Sequence, residues 1–289
     1  MTGKCTIKSF PRLVYVCCFL FFTFTAGTAA CQIAEPPEEA SQQSMQGMPG
    51  MHGMHHMNVP MGEETCGPKY TYDEGLEGPS HWQGLCATGK FQAPIDIEIE
   101  HAEELPIQKL HFLYKPANLD VINDCNHYRI LARFPDNDWL TVGKTPYFFS
   151  ELHFRVPGEN AVNGKRPRMS VQLVHLSPES KFLIIEVPVV VGKENPAMKA
   201  ILEHVPAPGK ESKLGGVQID PNDFLPADRT VYRFTGSLTT PICNQDALWY
   251  VMKNPIELSE AQIAKYAKYY HDTARPLQPV NGRQIAESQ

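Results

Sequence analysis

The sequence has no excess of positive charge. Its 26 Lys and Arg are outnumbered by 32 Asp and Glu, a formal charge of −6, so nothing suggests nucleic acid as a partner. It has no internal repeat and no Asn-x-Ser/Thr sequon, and nothing points to N-glycosylation. It also has little that could cross a membrane. The apolar run LVYVCCFLFFTFTAG at 13–27 is shorter than the roughly 20 residues of a comfortable span. Lys4, Lys8 and Arg12 precede this run and the small residues TAA follow it, so residues 1–30 read as an export signal cleaved near Ala30. A retained anchor is the alternative. Cys31 stands where a lipid-modified first residue stands, although GTAAC lacks the usual apolar residue three positions earlier. The expected location is exported: periplasmic, envelope-anchored or secreted.

The chain has 289 residues, 42% of them hydrophobic, which supplies one domain of about 200–250 residues plus extensions. Its 25 prolines and 20 glycines suggest many turns and a β-dominated fold. Cys5, Cys17 and Cys18 fall in the signal. Cys66, Cys86, Cys125 and Cys243 fall in the domain, an even number that suggests two disulfides in an exported protein. The spacing leaves three pairings open.

Residues 31–65 form a separate segment that begins as a polar, Pro/Glu-rich disordered linker. It continues into a tract where Met45, Met48, Met51, Met54, Met57 and Met61 alternate with His52, His55 and His56. Its glycines and prolines argue against a stable helix. Thioethers prefer Cu(I) and imidazoles suit Cu(II), so the tract reads as a copper-binding arm. The plainer reading is a low-complexity spacer.

From 66 to 287 short alternating runs alternate with turn signals. Residues 121–134, 169–176, 181–192 and 230–237 read as strands. Residues 195–206 and 259–272 read as helices, the second capped by Ser259 and stopped before Pro276. In ELHFRVP (151–157), His153 and Arg155 share one face of a strand. In MSVQLVH (169–175), Gln172 shares a face with Ser170 and Val174, and His175 points the other way. The pattern is that of a metal site with most of its ligands replaced.

Several stretches in order resemble the α-class carbonic anhydrases: GLEGPSHW (75–82), CATGKFQAPIDI (86–97), ELHFRVPGENAVNGK (151–165), MSVQLVH, FTGSLTTPIC (234–243) and RPLQPVNGRQI (275–285). The resemblance covers residues 70–286. It implies one mainly β domain, with a large, twisted, mostly antiparallel ten-stranded central sheet, a few peripheral helices and a conical active site. In that family three histidines hold zinc. Here the first position is His153, but the second is Arg155 and the third Gln172. The partner of the first ligand falls on Glu151, and the carboxylate partner of the third falls on Ser170.

The resemblance further implies that Thr239 is the gatekeeper threonine and Glu159 its proton acceptor. Val174, Ile184, Leu238 and Trp249 match the CO2 pocket. The proton-shuttle position is Asn126, with His127 beside it; a one-residue slip to His127 breaks the alternation of Ile130, Ala132 and Phe134. A Cys86–Cys243 disulfide matches exported members, which leaves Cys66 with Cys125.

With two ligands replaced, zinc is not expected at the family site. The chain reads as a carbonic-anhydrase-related member of the zinc-ligand-deficient kind, a binding or structural module for a protein or polyanion. A carbonate dehydratase with an atypical or residual metal site is the alternative. Arg155 either forms an anion pocket with the Thr239 backbone N–H, suited to bicarbonate, or pairs with Glu151 or Glu159 and plugs the old zinc cavity.

Overall fold

The computed structural model describes residues 66–67, 69–134 and 138–288. The expected signal at 1–30, the linker at 31–65, the Met/His tract and Cys31 lie outside the described residues. Among the described residues, no helix is long and apolar enough to cross a membrane.

The fold is mainly β. Eight longer strands build its centre: β1 (Ala117–Asp124), β2 (Arg129–Arg133), β3 (Thr145–Arg155), β4 (Met169–Leu176), β5 (Phe182–Val191), β6 (Glu211–Ile219), β7 (Val231–Ser237) and β8 (Gln245–Met252). They lie in the order β6-β1-β2-β3-β4-β5-β8-β7, and the short strands Ala286–Glu287 and Glu103–Glu104 extend the β7 edge. This continuous path has the expected ten strands. Three more pair beside it, so the sheet has thirteen. Most pairs are antiparallel, with β5 and β8 parallel.

The sheet carries a different core on each face, because side chains alternate along each strand. On β4, Met169, Val171 and Leu173 join the larger core with Leu152, Phe154, Ile185 and Val187. Val174 joins the smaller core with Ile184, Phe234 and Trp249. Each such side chain contributes about 1.5–3 kcal/mol when fully buried. Two helices lie against the larger core, α1 (Pro196–Glu203) and α2 (Glu260–Ala267), through Met198, Ile201, Ile263 and Tyr266. Asn195 caps α1. Ser259 and Gln262 form a reciprocal capping box at the start of α2, which satisfies two otherwise orphaned backbone donors.

One expected element differs. Residues 121–134 are not one strand but the β1–β2 hairpin, turning at 125–128. Ile130 and Ala132 are buried in the core as their alternation requires. Arg129, Leu131 and Arg133 therefore face the opposite side, where they line a cavity.

Candidate functional site

The cavity has a volume of about 470 Å³ and opens on the face of the sheet that carries Val174 and Ile184. One wall is apolar, formed by Leu131, Val174, Leu176, Phe182, Ile184 and Leu238. Trp249 does not line it. This side chain is fully buried behind Ile184, its neighbour in register, and stacks on Phe234. Asn126, expected at the shuttle position, and its neighbour His127 both lie on the cavity wall.

Strands β3 and β4 bring the expected residues together. Their register sets His153 opposite Gln172 and Arg155 opposite Ser170. His153 Nε2 lies 2.9 Å from Gln172 Oε1. An amide oxygen only accepts, so this imidazole nitrogen carries the proton and donates. Gln172 in turn donates through Nε2 to Glu159 Oε2 at 2.7 Å. Thr239 Oγ1 donates to the same oxygen, also at 2.7 Å. Glu159 is held in place from behind, because Glu186 Oε1 accepts from the backbone N–H groups of Glu159 (3.0 Å) and Asn160 (3.4 Å). Burial raises the Glu186 pKa.

The other side of His153 faces charge. Its Nδ1 lies 3.4 Å from Arg129 Nη1 and 3.3 Å from Glu151 Oε1. With the ring proton on Nε2, Nδ1 accepts from the guanidinium. Burial and then the Arg129 charge lower the His153 pKa to about 4, so the ring is neutral at pH 7. Glu151 has its strongest partner in Arg129, at 2.7 Å. Burial opposes ionisation of Glu151, but the Arg129 guanidinium holds its carboxyl well below the usual range. Arg129 also reaches Asp124 through Nε at 3.1 Å. Sequence reasoning missed Arg129; its alternation with Leu131 and Arg133 marked it, once 121–134 is read as a hairpin.

Arg155 is 1% exposed. Its Nε lies 3.9 Å from Glu159 Oε1, its Nη1 donates to His127 O at 3.5 Å, and its guanidinium sits 5.5 Å from the Tyr72 ring centre. Of its two expected carboxylates, Glu159 is the partner; Glu151 belongs to Arg129. Tyr72 stands in an aromatic cluster with Tyr70, Trp82 and Tyr128. Burial pushes the Tyr72 hydroxyl up to about 12.

His175 lies on the other face, as its register requires. Tyr114 Oη donates to its Nε2 at 2.6 Å, and its Nδ1 donates to Leu173 O at 3.1 Å. Burial lowers its pKa to about 3. Among the described residues, the only His, Cys, Asp or Glu trio close enough to share an ion is Glu98, Glu100 and His101, none of which lines the cavity. The disulfides join Cys66 to Cys125 and Cys86 to Cys243.

The family model of eukaryotic-type carbonic anhydrases matches residues 77–289. The chain belongs to this family. A carbonic anhydrase of Klebsiella pneumoniae is 34% identical over 221 residues, covering 74% of this chain and 89% of the relative. The α-carbonic anhydrase of Thermovibrio ammonificans, solved with the inhibitor sulfanilamide, superposes with a TM-score of 0.72 at 32% identity, covering 76% of this chain and 99% of that one. Dioscorin, solved in complex with ascorbate, is similar at a TM-score of 0.69 and 26% identity, covering 76% of this chain and 98% of its own. Within this carbonic anhydrase fold, the cavity beside His153 is the candidate site.

Proposed function

We propose that this chain is an exported carbonic anhydrase relative that no longer hydrates CO2 through zinc and uses its cone to bind other molecules. The observation that carries this reading is the direct His153–Gln172 hydrogen bond with the Arg155 guanidinium buried beside it. A catalytic zinc takes three protein donors and keeps one open position for water. Bound zinc then lowers the pKa of that water to about 7. Here His153 Nε2 carries a proton, Gln172 offers a weak amide oxygen, and Arg155 is a permanent cation that repels a metal ion. The donor set does not fit zinc.

The burial of Arg155, 1% exposed with its Nε 3.9 Å from Glu159 Oε1, supports the plug over an open anion site. The two disulfides support an oxidising compartment. Dioscorin, with ascorbate, supports the view that this fold serves ligands other than CO2.

A second reading keeps enzymatic activity, and one feature favours it: the Thr239–Glu159 hydrogen bond is intact at 2.7 Å. Stopped-flow CO2 hydration of the purified protein, with and without added zinc, separates the two. Rates at the buffer background in both conditions support the binding reading. Zinc-dependent turnover above background overturns it.

A further inference from the structure

A second cavity, of about 290 Å³, shares no residue with the cone. Two of its lining residues, Tyr147 and Tyr250, belong to the larger core, on the opposite face of the sheet from Val174 and Ile184. Strands β7 and β8 set Arg233 directly opposite Tyr250, and residues opposed across an antiparallel pair project to the same side. The start of β3 adds Thr145 and Tyr147, and Gln108 stands on the wall with them. Ile107, Val142 and Leu248 give the lining an apolar part.

Arg233 is the cation of this cavity, and among the described residues it has no ion pair. A guanidinium presents its donors in a planar fork that matches a carboxylate in two places. Its neighbours here are the two tyrosine hydroxyls. Burial raises the pKa of both, with the Glu179 charge adding to it at Tyr147, and the guanidinium acts against that rise. Both hydroxyls therefore keep their protons at pH 7. Glu179 itself does not line the cavity and accepts from Ser177 Oγ at 2.9 Å. The residues Tyr147 and Tyr250 are 6% and 1% exposed. Among the described residues neither hydroxyl donates to an acceptor, and neither is sealed from solvent. A guanidinium and two phenol protons thus meet at one cavity, and buried donors of this kind are satisfied by an acceptor. One cation suits one negative charge, and the apolar part of the lining opposes the desolvation of a second. The volume lies at the low end of the roughly 300–1,000 Å³ of small-molecule sites, so the body of the ligand is small.

We propose that this cavity binds a small monocarboxylate with an apolar body, its carboxylate held by the Arg233 guanidinium and the Tyr147 and Tyr250 hydroxyls. The site is separate from the cone and stands whether or not the cone binds zinc or any other ligand.

The test is isothermal titration calorimetry of the purified protein with benzoate, its neutral isostere benzamide and inorganic phosphate. Wild type, Arg233→Met, Tyr147→Phe and the cone variant Arg133→Gln are compared, with tyrosine ring NMR as a second readout. Wild type is expected to bind benzoate saturably. Benzamide binding to wild type and benzoate binding to Arg233→Met are each expected to be at least about tenfold weaker, since each loses a charge-assisted hydrogen bond. Tyr147→Phe is expected to bind benzoate about threefold more weakly, and Arg133→Gln as wild type does. Benzoate shifts the Tyr147 ring signal of wild type. The proposal is overturned by no benzoate binding to wild type, by benzamide or phosphate binding as tightly as benzoate, or by loss of benzoate binding in Arg133→Gln. Full affinity in Arg233→Met, or in Tyr147→Phe with an unmoved Tyr147 signal in wild type, overturns it as well. If Arg233→Met fails to fold, Tyr147→Phe and the benzamide comparison decide the question by themselves.

Discussion

Two buried histidines, His153 and His175, lie on opposite faces of the same sheet and are protected from protonation by the same burial. Their neighbours differ. His175 meets a tyrosine hydroxyl and a carbonyl, both neutral. His153 meets a guanidinium, a carboxylate and an amide. Burial alone therefore does not tell the two apart; the charge and donor type of their partners do. At His175 the neighbours complete a core. At His153 a guanidinium and a carboxylate face one ring nitrogen and an amide oxygen faces the other.

The largest way to break this contrast is to rebuild the donor set. Arg155→His with Gln172→His returns two imidazoles and removes the cation, so zinc content is expected to rise to about one equivalent per chain. CO2 hydration is expected to appear with it, and elemental analysis beside stopped-flow kinetics checks both. A variant that folds yet stays zinc-free contradicts the view that these two positions alone exclude the metal.

The next effect falls on the structural histidine. His175→Ala opens a cavity and strands the Tyr114 hydroxyl, with an expected cost of about 3 kcal/mol by urea unfolding. Wild-type His175 also carries a pH signature. Its folded pKa of about 3 lies below the unfolded value near 6.5, so the unfolded chain binds the proton first. Its contribution to stability is complete above pH 6.5 and is lost as pH falls toward 3, by about 1.4 kcal/mol per unit. A plot of urea midpoint against pH that is no flatter in His175→Leu than in wild type contradicts this assignment.

On the other face, Glu151→Gln leaves Arg129 with Asp124 as its sole carboxylate partner within 4.0 Å among the described residues. Breaking part of a buried charge network is expected to cost about 2 kcal/mol, measured by the same unfolding assay. The smallest effect is expected from Thr239→Val, which removes one of the two side-chain hydrogen bonds to Glu159 Oε2, at about 1 kcal/mol. A null result there marks Thr239 as dispensable to the loop.

Much of the site was legible in the sequence because strands have a period of two. That period set His153 and Arg155 on one face, set Gln172 against them, and turned His175 away. The strand 169–176 has the bounds expected of it, since a continuous buried run between turn signals leaves little choice. The β1–β2 hairpin was hidden because its turn contains neither glycine nor proline; Tyr128 takes the left-handed conformation there, with φ of 53°. Arg129 was hidden with it. Trp249 matched a pocket position in the family, but no pattern in one sequence could show that Ile184 and Phe234 bury it behind the wall.

Equilibrium dialysis of the native protein against zinc, followed by elemental analysis, tests the central point most directly. The expected result is well under one-tenth of an equivalent retained, unchanged in His153→Ala. One full equivalent, lost on that substitution, contradicts the account.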